Sequence, residues 1–271
     1  AGLEVTIRRG FGGADTVKKM AAGAAEFCET DLGNIIIGRT RGANLKMVSI
    51  HLRKAPFAIM ALAKSGITKP KDLEGRVIGF SQKADAIWAL FPGYAAATGI
   101  DITKVKYQSM APSAKVGALL AGKVDAITGF VDTLGGVFKV KRKKVNSLSF
   151  ADGGFNIYAS GIAVADKTVG NPCLVKRFVK ASNQGVSWTI DHPDQAVAIM
   201  AKNTGKGKKI LRAQLGGAIP LLGYVVKPEN RSKIGHLDPK EVVRSVGIVN
   251  RYMKLGGKVK AADVYTNDFV N

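Results

Sequence analysis

The chain has little of what usually announces a chemistry. Of its 271 residues, two are cysteine, three are histidine, and aromatic residues make up 7%. Cys28 and Cys173 stand outside any CxxC or Cys/His cluster, which argues against a structural zinc site. Spacing leaves two states open for them, one long-range disulfide or two free thiols, because bridging depends on proximity in three dimensions. No apolar run approaches the roughly 18 residues of a membrane-spanning helix, and no secretory leader pattern is visible. Acidic residues are scarce, 20 against 41 Lys and Arg, for a net charge of +21. Such an excess raises the question of nucleic acid. The charge is spread, however: residues 1–55 hold 9 basic and 5 acidic side chains, 56–162 hold 14 and 7, and 163–271 hold 18 and 8. The densest run, KVKRKK at 139–144, has no aromatic residue interleaved to stack on bases. No nucleic-acid partner is expected. A hydrophobic content of 46% with 23% charged residues lies in the globular range and excludes a disordered chain.

What is present is a rhythm of short apolar runs and amphipathic helices, the signature of βα units. LEVTI (3–7) reads as a strand, followed by the glycine-rich turn 8–16 and a helix over ADTVKKMAA. AEFCET (25–30) reads as a strand, Asp31 as the cap of a helix over LGNIIIGRTR that Gly42 ends, and 44–51 as the next strand. A second module opens at Pro56 with strands over PFAIMALAK, RVIGFS (76–81), VKYQSM (105–110) and VDAITGF (124–130). Its helices are read over 83–99, bent or split at Pro92, and from Pro112 and Ser113 to Gly122. The chain returns through a strand at 157–165 to a helical stretch. Asn171 with Pro172, Asp191 with Pro193, and Asp238 with Pro239 and Glu241 each supply a cap and a first-turn proline. A chain that leaves one lobe, builds another and returns implies an α/β protein of two lobes: residues 1–55 and 163–271 as lobe one, 56–162 as lobe two.

Candidate binding residues gather at the turns where strands feed helices, since ligands of open α/β sheets bind outside the carboxyl ends of the strands. GFGGAD (10–15) is one such turn, able to present backbone N–H groups at a helix N-terminus to an anion or polar ring edge. It equally fits a plain βα turn. It meets neither GxxxxGK[ST] nor GxGxxG, since Asp15 stands where the third glycine belongs. Thr30-Asp31-Leu32, Ser81-Gln82-Lys83 and Ala111-Pro112-Ser113 are the other turns. Trp88, Phe91, Phe130 and Tyr158 are aromatics that either stack on a ligand or pack the core. Catalytic constellations are thin: His51 ends a strand, His192 and His236 lie in connecting segments, and there is no GxSxG, HExxH or tight carboxylate pair. No catalytic residue, metal or cofactor is therefore expected.

Longer stretches carry a family likeness. SGITKPKDLEGRVIGFS (65–81) and TGIDITKVKYQSMAPSAKVGALLAGKVDAITGF (98–130) resemble the substrate-binding proteins of ABC importers for nitrate, sulfonate, taurine and thiamine-precursor pyrimidines. The opening GLEVTIRRGFGGADTVKKMAAGAAEF, RTRGANLKMVSIHLRKAPFAIMAL (39–62), DPKEVVRSVGIVNRYMKLGG and ADVYTNDFV are similar to the same family. The resemblance implies a bilobed type II periplasmic-binding-protein fold, with a hinge and an interlobe cleft that closes on solute. It implies a non-enzymatic monomer outside the cytoplasm, periplasmic or tethered to the outer face of a membrane, that hands a small polar or anionic solute to a membrane permease. By position it makes Gly12, Gly13, Ala14, Asp15, Thr30, Asp31, Leu32, Arg53, Ser81, Gln82, Phe130, Asp132 and Tyr158 ligand-binding residues, to which the strand-to-helix turn adds Ser113. It also implies a further strand and helix ahead of the GLEV segment, which this chain, opening at Ala1, does not carry. The alternative on the same fold is a pyrimidine-synthase-like enzyme of thiamine biosynthesis, with a cofactor lysine and a cysteine-rich motif. FCETDL has a single cysteine where that motif would cluster. A ligand-sensing domain of a transcription regulator shares the fold but requires a helix-turn-helix, and none is visible.

Overall fold

The computed structural model describes residues 2–8, 10–81, 86–256 and 259–270. In chain order these form α1 (Gly13–Ala21), β1 (Phe27–Asp31), α2 (Leu32–Arg39), β2 (Leu45–Ile50), β3 (Phe57–Leu62), β4 (Val77–Phe80), α3 (Ala86–Thr98), β5 (Lys106–Ser109), α4 (Lys115–Leu120) and β6 (Ala126–Phe130). They continue with α5 (Thr133–Val140), β7 (Val145–Ser149), β8 (Ser160–Ala165), α6 (Asp166–Val169), α7 (Pro172–Asp191), α8 (Pro193–Thr204), α9 (Lys208–Ala218), α10 (Pro239–Tyr252) and α11 (Ala261–Val264). Two compact units result. Unit 1 comprises Ala1–Ala55, Ile157–His192 and Leu221–Asn271, and unit 2 comprises Pro56–Asn156 and Pro193–Pro220.

Unit 1 is built on the strand order β1-β8-β2, with β8 antiparallel to both neighbours, so β1 and β2 run in the same direction. Helix α2 follows β1 without a loop because Asp31 caps it, accepting from the backbone N–H of Asn34 at 2.9 Å. Its sequence, LGNIIIGR, is apolar nearly all round, and Leu32 through Gly38 are buried. Helix α1 approaches it at glycines: a Cβ on Gly38 would lie 2.6 Å from Val17 Cγ1, and one on Gly13 would lie 2.5 Å from Asn34 Nδ2. Val48, Ile162, Val164, Val175, Val179 and Phe269 form a core between the sheet and α7, extended by the stacked Phe27 and Phe178 rings. Asn171 and Asp238 cap α7 and α10, each with proline at the first turn, as their sequences predict. The strand expected at residues 3–7 does not form. Among the described residues it pairs with no strand, Val5 and Ile7 are exposed, and a β segment without a ladder partner has nothing to satisfy its backbone. Gly2 instead accepts a hydrogen bond from the Arg177 guanidinium at 2.8 Å.

Unit 2 has the strand order β5-β4-β6-β3-β7, with β4 parallel to β5 and β6, and β3 antiparallel to β6 and β7. FAIMAL of β3 is buried along nearly its whole length, as a central strand covered on both faces requires, whereas β5 (KYQS) is an exposed edge. Phe57, Phe80, Phe150, Phe155 and Tyr94 fill the core, with Tyr94 stacked on Phe150 at 4.1 Å. Pro92 lies inside α3 without splitting it. The start of that helix, placed by sequence at Lys83, lies outside the described residues. Helix α4 begins at Lys115, and residues 112–114 form a turn ahead of it. Residues 193–220 pack in this unit, although their sequence pattern groups them with the C-terminal helices. Glycines permit it: a Cβ on Gly136 of α5 would lie 3.0 Å from Gln214 N of α9, and one on Gly217 would lie 2.9 Å from Asp132 Cα.

Candidate functional site

Each unit gathers its predicted residues at one sheet edge. In unit 1 the carboxyl ends of β1 and β2 flank the start of β8: Thr30 and Ile50 both register with Gly161, and Asp31 with Ser160. Thr30, Asp31, Leu32, Arg53 and Tyr158 therefore share that edge. The glycine turn joins it, because Gly13 packs on Asn34 and lies close to the Asp31 carboxylate. Gly12 caps α1 at φ 115°, a conformation open to glycine. Asp15 accepts from the backbone N–H of Phe11 at 3.2 Å and pairs with Lys19 at 2.7 Å, and these contacts hold its carboxyl below the ordinary range. Ala14 contributes to the first turn.

Much of this edge is internally bonded. The Asp31 carboxylate also accepts from the Asn34 amide at 2.6 Å, and the Leu32 N–H donates to Ala159 O at 3.2 Å. Arg53, 7% exposed, donates to Tyr158 Oη at 3.3 Å, Lys233 O at 3.1 Å and His236 O at 2.5 Å. Its guanidinium also lies over the Tyr224 ring at 4.6 Å. Tyr158 Oη further accepts from the Asp238 N–H at 3.3 Å, and burial raises its pKa, with the Arg53 charge opposing. Two groups are left over: Thr30 Oγ1 and Arg53 Nε are buried without a hydrogen-bond partner.

In unit 2 the parallel strands β4, β5 and β6 bring their carboxyl ends to one edge, which β3 enters and β7 leaves. Ser81 is buried there, its carbonyl accepting from Ser109 Oγ at 3.2 Å. Gln82 lies outside the described residues. Ser113 is exposed in the turn before α4, and Phe130 is half-buried with its ring 5.8 Å from that of Phe57. Asp132 precedes α5 but makes no side-chain capping bond. Its Oδ1 is buried without a partner, and desolvation pushes its pKa up. Trp88 and Phe91 pack edge-on against Phe80 as core aromatics.

Sequence reasoning missed two polar clusters. Lys115, 5% exposed, donates from Nζ to Thr128 O at 2.7 Å beneath β6. In unit 1, Ser49 Oγ and His51 Nε2 both reach Asn183 Oδ1, at 2.7 and 3.3 Å, while Asn183 donates to Ile234 O. Burial holds the His51 pKa below its ordinary value, against opposing effects of Glu29 and the Asn183 bond. The placement of His51 on a β strand end was readable; Asn183, in the middle of α7, was not. Cys28 and Cys173 are both unpaired, and burial pushes the Cys28 thiol up to about 12. Among the described residues no group of three or more His, Cys, Asp and Glu could hold a metal ion, and no helix is long and apolar enough to cross a membrane.

Residues 1–196 match the family described as NMT1/THI5 like. The chain belongs to that family. It is 24% identical over 282 aligned positions to the riboflavin-binding protein RibY of Chloroflexus aurantiacus, covering 99% of this chain and 78% of that protein. It is 21% identical over 206 positions to a formylaminopyrimidine-binding protein of Halalkalibacterium halodurans, covering 74% of this chain and 62% of the relative. Among solved structures, the periplasmic aliphatic sulphonate-binding protein SsuA of Escherichia coli superposes with a TM-score of 0.71 at 16% identity, over 93% of this chain and 79% of that one. The fold of this family member is thus the periplasmic-binding-protein fold expected from its sequence.

Proposed function

We propose that this chain is the solute-binding component of an ABC-type importer, acting outside the cytoplasm and delivering a small polar or anionic solute to a membrane permease. Its family membership, with relatives named for binding riboflavin and formylaminopyrimidine, is the observation that carries this reading. The site chemistry supports it. Among the described residues, the buried side-chain atoms without a partner include those of Thr30, Arg53 and Asp132, residues picked as ligand contacts from sequence, beside that of Tyr94. Buried polar atoms are rarely left unpaired, and a ligand that bonds them removes the cost. At the unit 1 edge a hydroxyl and a guanidinium N–H suit the acceptor atoms of a polar or anionic solute, such as a sulfonate or a substituted pyrimidine. The enzymatic alternative gains no specific support from the residues around Cys28.

Isothermal titration with taurine, an alkanesulfonate, nitrate, a formylaminopyrimidine and riboflavin tests the reading. At least one should bind saturably and raise the thermal midpoint, by about 2.7 kcal/mol of added stability at a hundredfold excess over Kd. Thr30→Val should weaken that binding. No binding across the panel, or a visible Schiff-base band on adding pyridoxal phosphate, would overturn it.

A further inference from the structure

The basic excess is even along the sequence but not in space. Residues 133–144 and 193–218 carry ten Lys and Arg and one acidic side chain, Asp194. The fold brings these two segments together in unit 2, where α5 packs against α9 and α9 against α8. Between α5 and α9 lies a groove of about 540 Å³, with Lys139, Arg142, Lys209 and Arg212 among its lining residues. Arg142 is held there at φ 54°, in the left-handed region, at the turn that ends α5. Arg212 pairs with Asp194, so the segments' single carboxylate offsets one cation and leaves the others without a counter-charge from α5, α8 or α9.

The glycines of the groove divide into two kinds. Gly136 packs on the α9 backbone at Ala213 and Gln214, and Gly217 on Asp132 just ahead of α5, whereas a Cβ on Gly135 or Gly216 would meet nothing within 4 Å. The helices are thus locked together at one pair, and the space over the other pair stays open. None of the ligand-binding residues picked from sequence lines this groove.

We propose that the α5–α9 groove binds a small polyanion, a compound bearing two or more phosphate groups. Its volume suits a small molecule, its rim carries several cations on separate turns, and phosphate is matched by the guanidinium fork and by lysine as a point charge. Because the cations are exposed, affinity falls with ionic strength.

The probe is tripolyphosphate, titrated into the intact chain by calorimetry, with taurine and inorganic sulfate as controls. Saturable binding of one tripolyphosphate is expected, with sulfate at least about tenfold weaker, since one dianion engages fewer cations. Lys139→Gln combined with Lys209→Gln, both exposed, should weaken binding about tenfold or more without lowering the thermal midpoint. Gly216→Leu, which fills the groove, should abolish binding while leaving the midpoint unchanged or higher. Binding that survives both variants overturns the proposal, as does no binding at low ionic strength. Attachment to vesicles of anionic phospholipid with no uptake of tripolyphosphate also overturns it, and makes this face a membrane contact instead.

Discussion

The two units use the same device, polar residues at the carboxyl ends of strands, with different degrees of commitment. At the unit 1 edge, Asp31 is a helix cap, Arg53 ties down two carbonyls and a phenol, and Tyr158 joins β8 to the start of α10. At the unit 2 edge, Ser113 is exposed, and Asp132 precedes a helix without capping it and keeps an unpartnered oxygen. The same residue types at the same topological position thus act mainly as fasteners in one unit and remain uncommitted in the other. Topological position nominates candidates for binding, and only the hydrogen-bond inventory separates the two roles.

Close glycine contacts give the largest expected contrast. In β8, a Cβ on Gly161 would collide with the carbonyl and Cα of neighbouring strand β2, which cannot move without breaking the ladder. Gly161→Ala should cost more than about 3 kcal/mol in denaturant melts. In β6, the nearest atoms to a Cβ on Gly129 belong to the Leu134 side chain, which can turn away, so Gly129→Ala should cost about 1 to 2 kcal/mol. Equal costs would remove the contrast.

Arg53→Met comes next, at about 3 kcal/mol, because it strands the Lys233 and His236 carbonyls. If the variant melts like the parent, Arg53 is no fastener. Asp31→Ala should lose about 1 to 2 kcal/mol with its cap, whereas Asp132→Asn should raise the midpoint at neutral pH.

Acid dependence should separate the units by sign. His51 has a folded pKa below 6.5, so the unfolded chain binds more protons in that window, and stability is lost as pH falls from 6.5 through the folded value. Asp132 has a folded pKa above 3.8, so the folded chain holds more protons there, and stability is lost as pH rises from 3.8 through the folded value. His51→Gln should flatten the first slope and Asp132→Asn the second, read as midpoint against pH. A variant that leaves its slope unchanged shows that the other groups dominate.

Local signals were the legible ones. Asn171-Pro172 and Asp238-Pro239 announce α7 and α10 because cap and first-turn geometry are encoded within a few residues. Residues 3–7 misled because alternation shows β propensity but not a partner, and no strand among the described residues pairs with them. The return of 193–220 to unit 2 was hidden for a related reason. It depends on Gly136 and Gly217 allowing α5 and α9 to touch, contacts between residues some 80 apart that no local window contains. With it went the basic groove, since even charge along the sequence concealed clustering in space. The site residues were legible as positions, through strand-to-helix turns and family likeness. Their bonding was not, because Arg53, like Asn183 and Lys115, carries no local mark of the partners it finds.

The central claim is that the chain captures a small solute, and native mass spectrometry of the folded protein after incubation with the solute panel tests it most directly. The account predicts a single one-to-one adduct that is lost on denaturation and diminished in Thr30→Val. A spectrum showing only the bare chain at every concentration would contradict it.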